Sequence, residues 1–96
     1  ADMKTKIEAS RMLTWKSAFE SDQGIRNTES AAHAKRFAAD TAMEVSTDAV
    51  QIFGGYGYSE EYPVARLMRG AKVMQIYEGS SQVQRMIIGR EITSDF

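Results

Sequence analysis

Three glycines in four residues, Gly54-Gly55-Tyr56-Gly57, divide this chain. Such a run frees the backbone to adopt positive φ values and allows close approaches, so the helix before it cannot continue through it. Upstream, Ala31, Ala32, Ala34, Ala38, Ala39, Ala42 and Ala49 fill a stretch with the highest helix propensity, and their small side chains let another helix lie close. The reading is one long helix from about Glu29 to Phe53, with Asn27 or Thr28 as N-cap.

Three further helical segments follow from the same reasoning. The first runs from about Ala1 to Asp22. Met3, Ile7, Met12, Trp15 and Phe19 fall near one face, and Gly24 supplies the stop. Trp15 and Phe19 read as core or interface anchors. Another segment starts near Pro63, a favoured first-turn residue, carries Val64, Leu67, Met68 and Ala71, and has Gly70 as a candidate end. The last runs from about Ser81 to Glu91, where Ser81 and Gln84 have capping-box spacing. Gln75 to Gly79 forms a second connection, with Val73 to Tyr77 as a candidate short extended piece. The fold class is all-α, and a helical bundle is the economical architecture.

Composition removes several function classes. A net charge of -1 offers no field for nucleic acid. There is no cysteine and only one histidine, His33, which has no partner visible in the sequence and reads as structural; no metal site is expected. No apolar run approaches the roughly 20 residues that span a bilayer. With 96 residues, one small domain is the limit, and its stability is marginal unless it packs on something else. Helical patterning begins at Ala1 without a cap, and no leader pattern precedes it, so the chain reads as cut from a longer parent.

Three clusters could carry chemistry. Glu78 lies between Tyr77 and Gly79 just before a helix. It is either a general base, which desolvation beside apolar groups would favour, or a surface carboxylate near the positive end of the helix dipole. Gln51, Ile52, Phe53, Gly54 and Gly55 offer a side-chain amide and open backbone to a ligand, or simply cap a helix and turn. Ser80, Ser81 and Gln82 stand at a helix N-terminus, where they can serve an acceptor or, through Ser81, cap the helix.

Taken together, these clusters change the reading. Asp48 to Gly57, then Glu61-Tyr62-Pro63-Val64, Leu67-Met68-Arg69, Ala71-Lys72-Val73 and Gln75 to Arg85 resemble, in order and spacing, the C-terminal signature of the acyl-CoA dehydrogenases of the medium-chain and short-chain type. The resemblance covers nearly the whole chain and is densest from Asp48 to Glu91. It implies that residues 1–96 are a partly truncated C-terminal four-helix-bundle domain of an FAD-dependent enzyme of fatty acid β-oxidation. Glu78 would remove the α-proton of an acyl-CoA thioester, giving a trans-2-enoyl-CoA, with its own backbone N–H on the thioester carbonyl. Tyr77 would line the acyl or thioester pocket and Gly79 would let the thioester lie close. Gln51 to Gly55 would contact the ADP part of FAD bound mainly by a neighbouring subunit, and Ser80 to Gln82 the FAD at Glu78's own site. The implied partners are an acyl-CoA substrate, an electron-transfer flavoprotein and further copies of the chain in a dimer or tetramer. The implied compartment is the mitochondrial matrix in a eukaryote or the cytoplasm in a bacterium. Ser80 departs from a common threonine but keeps the hydroxyl, and Gly70 replaces a common aspartate. The chain alone is expected neither to retain FAD nor to oxidise acyl-CoA. The alternative is a stand-alone helical self-association domain without catalysis.

Overall fold

The computed structural model describes residues 1–94. The elements are α1 (Asp2–Asp22), α2 (Thr28–Phe53), α3 (Gly55–Tyr58), α4 (Pro63–Met74) and α5 (Ser81–Thr93), and no strand occurs among the described residues. The expected all-α architecture holds. Its axis is α2, against which α1, α4 and α5 all pack. Helices α4 and α5 do not pack on each other, and α1 packs on neither, so α2 is the element they share.

The alanines explain this arrangement. Among the described residues, the buried apolar ones are Ala32, Ala34, Ala39, Val64, Ala65 and Ala71, and no large side chain is fully buried. Small residues along α2 allow close helix approach but bury little area. The Cα radius of gyration is 15.6 Å, against roughly 12.5 Å for a compact domain of this length. The shape is elongated, 50 × 22 × 20 Å.

Several sequence expectations need correcting. On α1, the residues that lose exposure are Met3, Lys6, Glu8, Ala9, Ser10, Leu13, Ser17 and Glu20. Of the bulky stripe only Met3 is among them: Met12 is 58%, Trp15 60% and Phe19 61% exposed, so neither aromatic is a core residue of this chain. The α1–α2 contact is fastened by polar groups instead. Lys6 pairs with Glu44, and Asn27 donates to the carbonyl and hydroxyl oxygens of Ser17 at 3.1 Å each. Asn27 occupies the N-cap position of α2, but its side chain makes no capping bond. His33 does have a partner, Glu29 one turn earlier, at 3.4 Å.

The glycine run does end α2, with Gly54 at φ 67, yet Gly55 to Tyr58 then form a single helical turn. Gly57 is required there, because a Cβ would lie 2.7 Å from both the Val50 carbonyl oxygen and the Phe53 Cβ. Gly70 does not end α4. The helix runs through it to Met74, and Val73 to Tyr77 is helix and turn, not an extended piece. Packing of α4 on α2, with Val64, Ala65 and Ala71 buried, is compatible with the roughly 1 kcal/mol propensity cost of a helical glycine.

Candidate functional site

The turn from Gln75 to Ser80 connects α4 to α5 and carries the densest set of candidates. It starts as a tightened helix end: the N–H groups of Ile76 and Tyr77 both donate to the Val73 carbonyl at 3.0 Å. Its far end returns to its start, because the Ser81 N–H donates to the Gln75 carbonyl at 3.0 Å. Between them the backbone turns through the left-handed region, with Glu78 at φ 50 and Gly79 at φ 88. Glu78 is the only non-glycine residue at positive φ among those described. That conformation costs an L-residue roughly 1–2 kcal/mol.

Glu78 is exposed, as is Tyr77. Among the described residues, no cation pairs with the Glu78 carboxylate. Nor does its own N–H find an acceptor among the described residues. One residue thus presents a free carboxylate and a free backbone donor together. Tyr77 lies beside Lys35 of α2, whose ammonium sits 5.7 Å from the ring centroid and donates to the Met74 carbonyl. These groups border a hollow of about 330 Å³ between α1, α2 and the turn, lined by Thr14, Ala34, Ala38 and Ala39 as well.

Gly79 has a reason internal to the chain. A Cβ there would fall 2.3 Å from the Gln84 amide nitrogen, which donates to the Gly79 carbonyl at 3.2 Å. Ser80, not Ser81, is the N-cap of α5: its Oγ accepts from the Val83 N–H at 3.2 Å. Ser81 is buried, 3% exposed, and its hydroxyl donates inward to Asp40 at 2.7 Å. Gln82 is exposed beside it.

The residue that sequence reasoning missed is Asp40, in the middle of α2. Its Oδ1 accepts from Ser81 and from the Gln75 amide at 2.9 Å, and its Oδ2 accepts from Arg85 at 3.0 Å. Partial burial pushes this carboxyl up, but hydrogen bonds from Ser81 and Gln75 and the charges of Arg85 and Arg36 outweigh it. The carboxyl therefore sits below its ordinary range. A lone acid within Ala38-Ala39-Asp40-Thr41-Ala42 was the available signal.

The second cluster lies elsewhere. Gln51 to Gly55 close the C-terminal end of α2, eleven residues beyond Asp40 at Gln51, or roughly 16 Å along the helix axis. All five are exposed. A Cβ at Gly54 or Gly55 would meet nothing within 4 Å, so neither glycine is demanded by packing within the chain, although Gly54 has positive φ. The structure keeps this cluster apart from the Glu78 turn and groups Tyr77, Glu78, Gly79, Ser80, Ser81 and Gln82 together. No three side chains able to hold a metal ion gather among the described residues, and no helix is long and apolar enough to cross a membrane.

Known proteins share this arrangement. The sequence profile of the family described as "Acyl-CoA dehydrogenase, C-terminal domain" matches residues 1–93. A short-chain specific acyl-CoA dehydrogenase of Megasphaera elsdenii is 62% identical over 89 residues, covering 93% of this chain and 23% of that protein. The structure of butyryl-CoA dehydrogenase from Megasphaera elsdenii has a TM-score of 0.93 at 60% identity, covering 96% of this chain and 24% of that one. A structure described as the FAD complex of PigA gives a TM-score of 0.92 at 26% identity, covering 99% of this chain and 25% of that one. The chain spans about a quarter of the length of these relatives. Profile, identity and superposition agree: this chain belongs to the acyl-CoA dehydrogenase family, matching its C-terminal helical domain.

Proposed function

We propose that this chain is the base-bearing part of an FAD-dependent acyl-CoA dehydrogenase that converts acyl-CoA thioesters to trans-2-enoyl-CoA, with Glu78 as the base. The observation that carries the reading is the pairing of two free groups in one exposed residue, the Glu78 carboxylate and the Glu78 N–H. The α-proton of a thioester is too weak an acid for a carboxylate in water. A donor on the thioester oxygen stabilises the enolate that develops as the proton leaves. An N–H and a carboxylate on the same left-handed residue can serve the carbonyl oxygen and the α-carbon of one substrate. Tyr77, exposed beside them, would border the acyl group. Gly79 has a structural reason already, the Gln84 amide that a Cβ would strike, and the reading adds that the thioester would lie against it.

The residues present fit a flavin cofactor. Gly54 and Gly55 leave open backbone that nothing in the chain fills, with the Gln51 amide and the exposed Ile52 and Phe53 beside it. At the other cluster, the exposed Gln82 and the Ser80 hydroxyl can reach outward, while the Ser81 hydroxyl is engaged with Asp40. When bound, the flavin supplies the hydride acceptor for the substrate's β-hydrogen. Gln51 to Gly55 would contact the ADP part of a flavin held mainly by a neighbouring subunit of a homo-oligomer, and Ser80 to Gln82 the flavin at Glu78's own site. Exposed Met12, Trp15, Phe19, Tyr56 and Tyr58 supply apolar surface for such an assembly and for the rest of a longer protein. Reducing equivalents would pass on to an electron-transfer flavoprotein. The 96 residues alone would neither retain FAD nor turn over substrate.

In a full-length protein containing this domain, Glu78→Gln is expected to keep FAD and acyl-CoA binding and to lose exchange of the α-proton with solvent. Exchange at a rate comparable to the parent would remove Glu78 as the base. The base would then have to lie elsewhere in the full-length protein.

A further inference from the structure

The turn that carries Glu78 has an unusual support. Its two flanking helices do not pack on each other, so nothing in their own contact fixes the span between them. The two feet of the turn, Gln75 and Ser81, instead meet at one carboxylate of a third helix. Asp40 Oδ1 accepts from the Gln75 amide at 2.9 Å and from the Ser81 hydroxyl at 2.7 Å, while the feet are joined to each other by the Ser81 N–H on the Gln75 carbonyl at 3.0 Å. Oδ2 takes Arg85, one turn into α5, at 3.0 Å. Glu78 stands three residues from either foot, in a strained left-handed conformation that persists only if its surroundings over-determine it.

We propose that Asp40 is a positioning residue for Glu78: its carboxylate clamps both feet of the turn to α2 and thereby sets where the base and its N–H stand relative to substrate. This rests on the reading of Glu78 as the base. Asp40 touches neither substrate nor cofactor in this account; it acts through Gln75, Ser81 and Arg85. A capping role alone would leave the chemistry unaffected once the protein is folded. A positioning role would not, because misplacing a reacting group by about 1 Å can cost roughly 100-fold in rate. Asp40→Asn keeps the volume and one acceptor oxygen but turns an amide N–H toward the Arg85 guanidinium, so the clamp is disturbed without creating a cavity.

The test uses the full-length, FAD-loaded protein. For Asp40→Asn, kcat should fall by about tenfold or more with KM changed less than about threefold, and the α-deuterium isotope effect on kcat should grow as proton removal becomes slower. Gln75→Leu removes one foot's bond while touching no residue assigned to substrate or cofactor. It should give a smaller fall in kcat with the same rise in isotope effect, and it decides the matter if Asp40→Asn does not fold. A lowered melting temperature with kcat and isotope effect both unchanged would overturn the proposal and leave Asp40 as a brace of the fold. Glu78→Gln, measured alongside, separates the two failures. If that variant is inactive while Asp40→Asn and Gln75→Leu turn over normally, the positioning role alone is wrong; if it remains active, the assignment of the base has failed and the positioning role falls with it.

Discussion

Replacing Gly79 with alanine tests the local architecture of the turn directly. At φ 88 an L-side chain is strained, which costs roughly 1–2 kcal/mol. The unfolded chain loses some freedom in the same change, returning about 0.4–1 kcal/mol. The new Cβ would lie 2.3 Å from the Gln84 amide nitrogen. That nitrogen ends a flexible side chain, so it can move, but only by giving up its bond to the Gly79 carbonyl, worth about 0.5–1.5 kcal/mol. Gln84 is 9% exposed, so the displaced amide has little water to turn to. These contributions add to a net destabilisation of roughly 2 kcal/mol. The assay is urea unfolding of four proteins: parent, Gly79→Ala, Gln84→Ala and the double variant. With the amide absent, Gly79→Ala should cost only its backbone strain, so the cycle should show a coupling of about 1 kcal/mol. A Gly79→Ala variant within about 0.5 kcal/mol of the parent would refute the reasoning, as would an equal cost in both backgrounds.

Other perturbations have equally definite signs. Gly57→Ala should destabilise markedly, because its Cβ would strike the Val50 carbonyl and Phe53 at 2.7 Å, whereas Gly55→Ala meets nothing within 4 Å and should be neutral or stabilising by up to about 1 kcal/mol in the same unfolding assay. Because the Asp40 carboxyl is depressed in the folded chain, its contribution is full above the ordinary aspartate value near 3.9 and is lost as pH falls through the lower folded value. The stability gap between parent and Asp40→Asn should therefore narrow on acidification from pH 7 toward about 3, and a gap that widens would contradict this. Glu78→Gly should relieve the left-handed strain and raise stability by about 0.5–1 kcal/mol after the entropic cost of glycine, while removing the proposed base; a less stable variant would show that no strain is stored there.

What was legible in the sequence was local. Pro63 as a helix start and Gly54 as a helix stop follow from single-residue backbone preferences, and both stand where they were read. The alanine-rich stretch indicates a long helix that another can approach closely; that α1, α4 and α5 all pack on it is visible only in the structure. Misreadings arose where a tertiary contact decided between two local options. Ser80 and Ser81 are both competent caps, and Ser80 takes the role because the Ser81 hydroxyl is drawn to Asp40, forty-one residues away. The periodic stripe Met12, Trp15 and Phe19 was visible, but nothing local says that it stays exposed. Gly70 reads locally as a stop, and the packing of α4 on α2 on both sides of it, through Val64, Ala65 and Ala71, is a tertiary fact that no local preference shows. Of the candidate site, the grouping of Tyr77 to Gln82 was readable from adjacency alone. The left-handed φ of Glu78 and the clamp beneath it were not, since both depend on long-range bonds.

The strain at Glu78 and the bonds around it belong to one energetic account. A glutamate held at positive φ would drift toward a relaxed conformation if the turn were anchored at one end only, because a half-anchored loop can pass the cost of about 1–2 kcal/mol into its free end. Here neither end is free. The feet are tied to each other and to α2, Gln84 holds the Gly79 carbonyl, and Lys35 holds the Met74 carbonyl. Each hydrogen bond is individually worth about 1 kcal/mol, so several together exceed the strain they enforce. The same turn holds Glu78 with its N–H and carboxylate unpaired among the described residues. Groups held in place and unpaired before substrate arrives are what the proposed base and oxyanion donor would require.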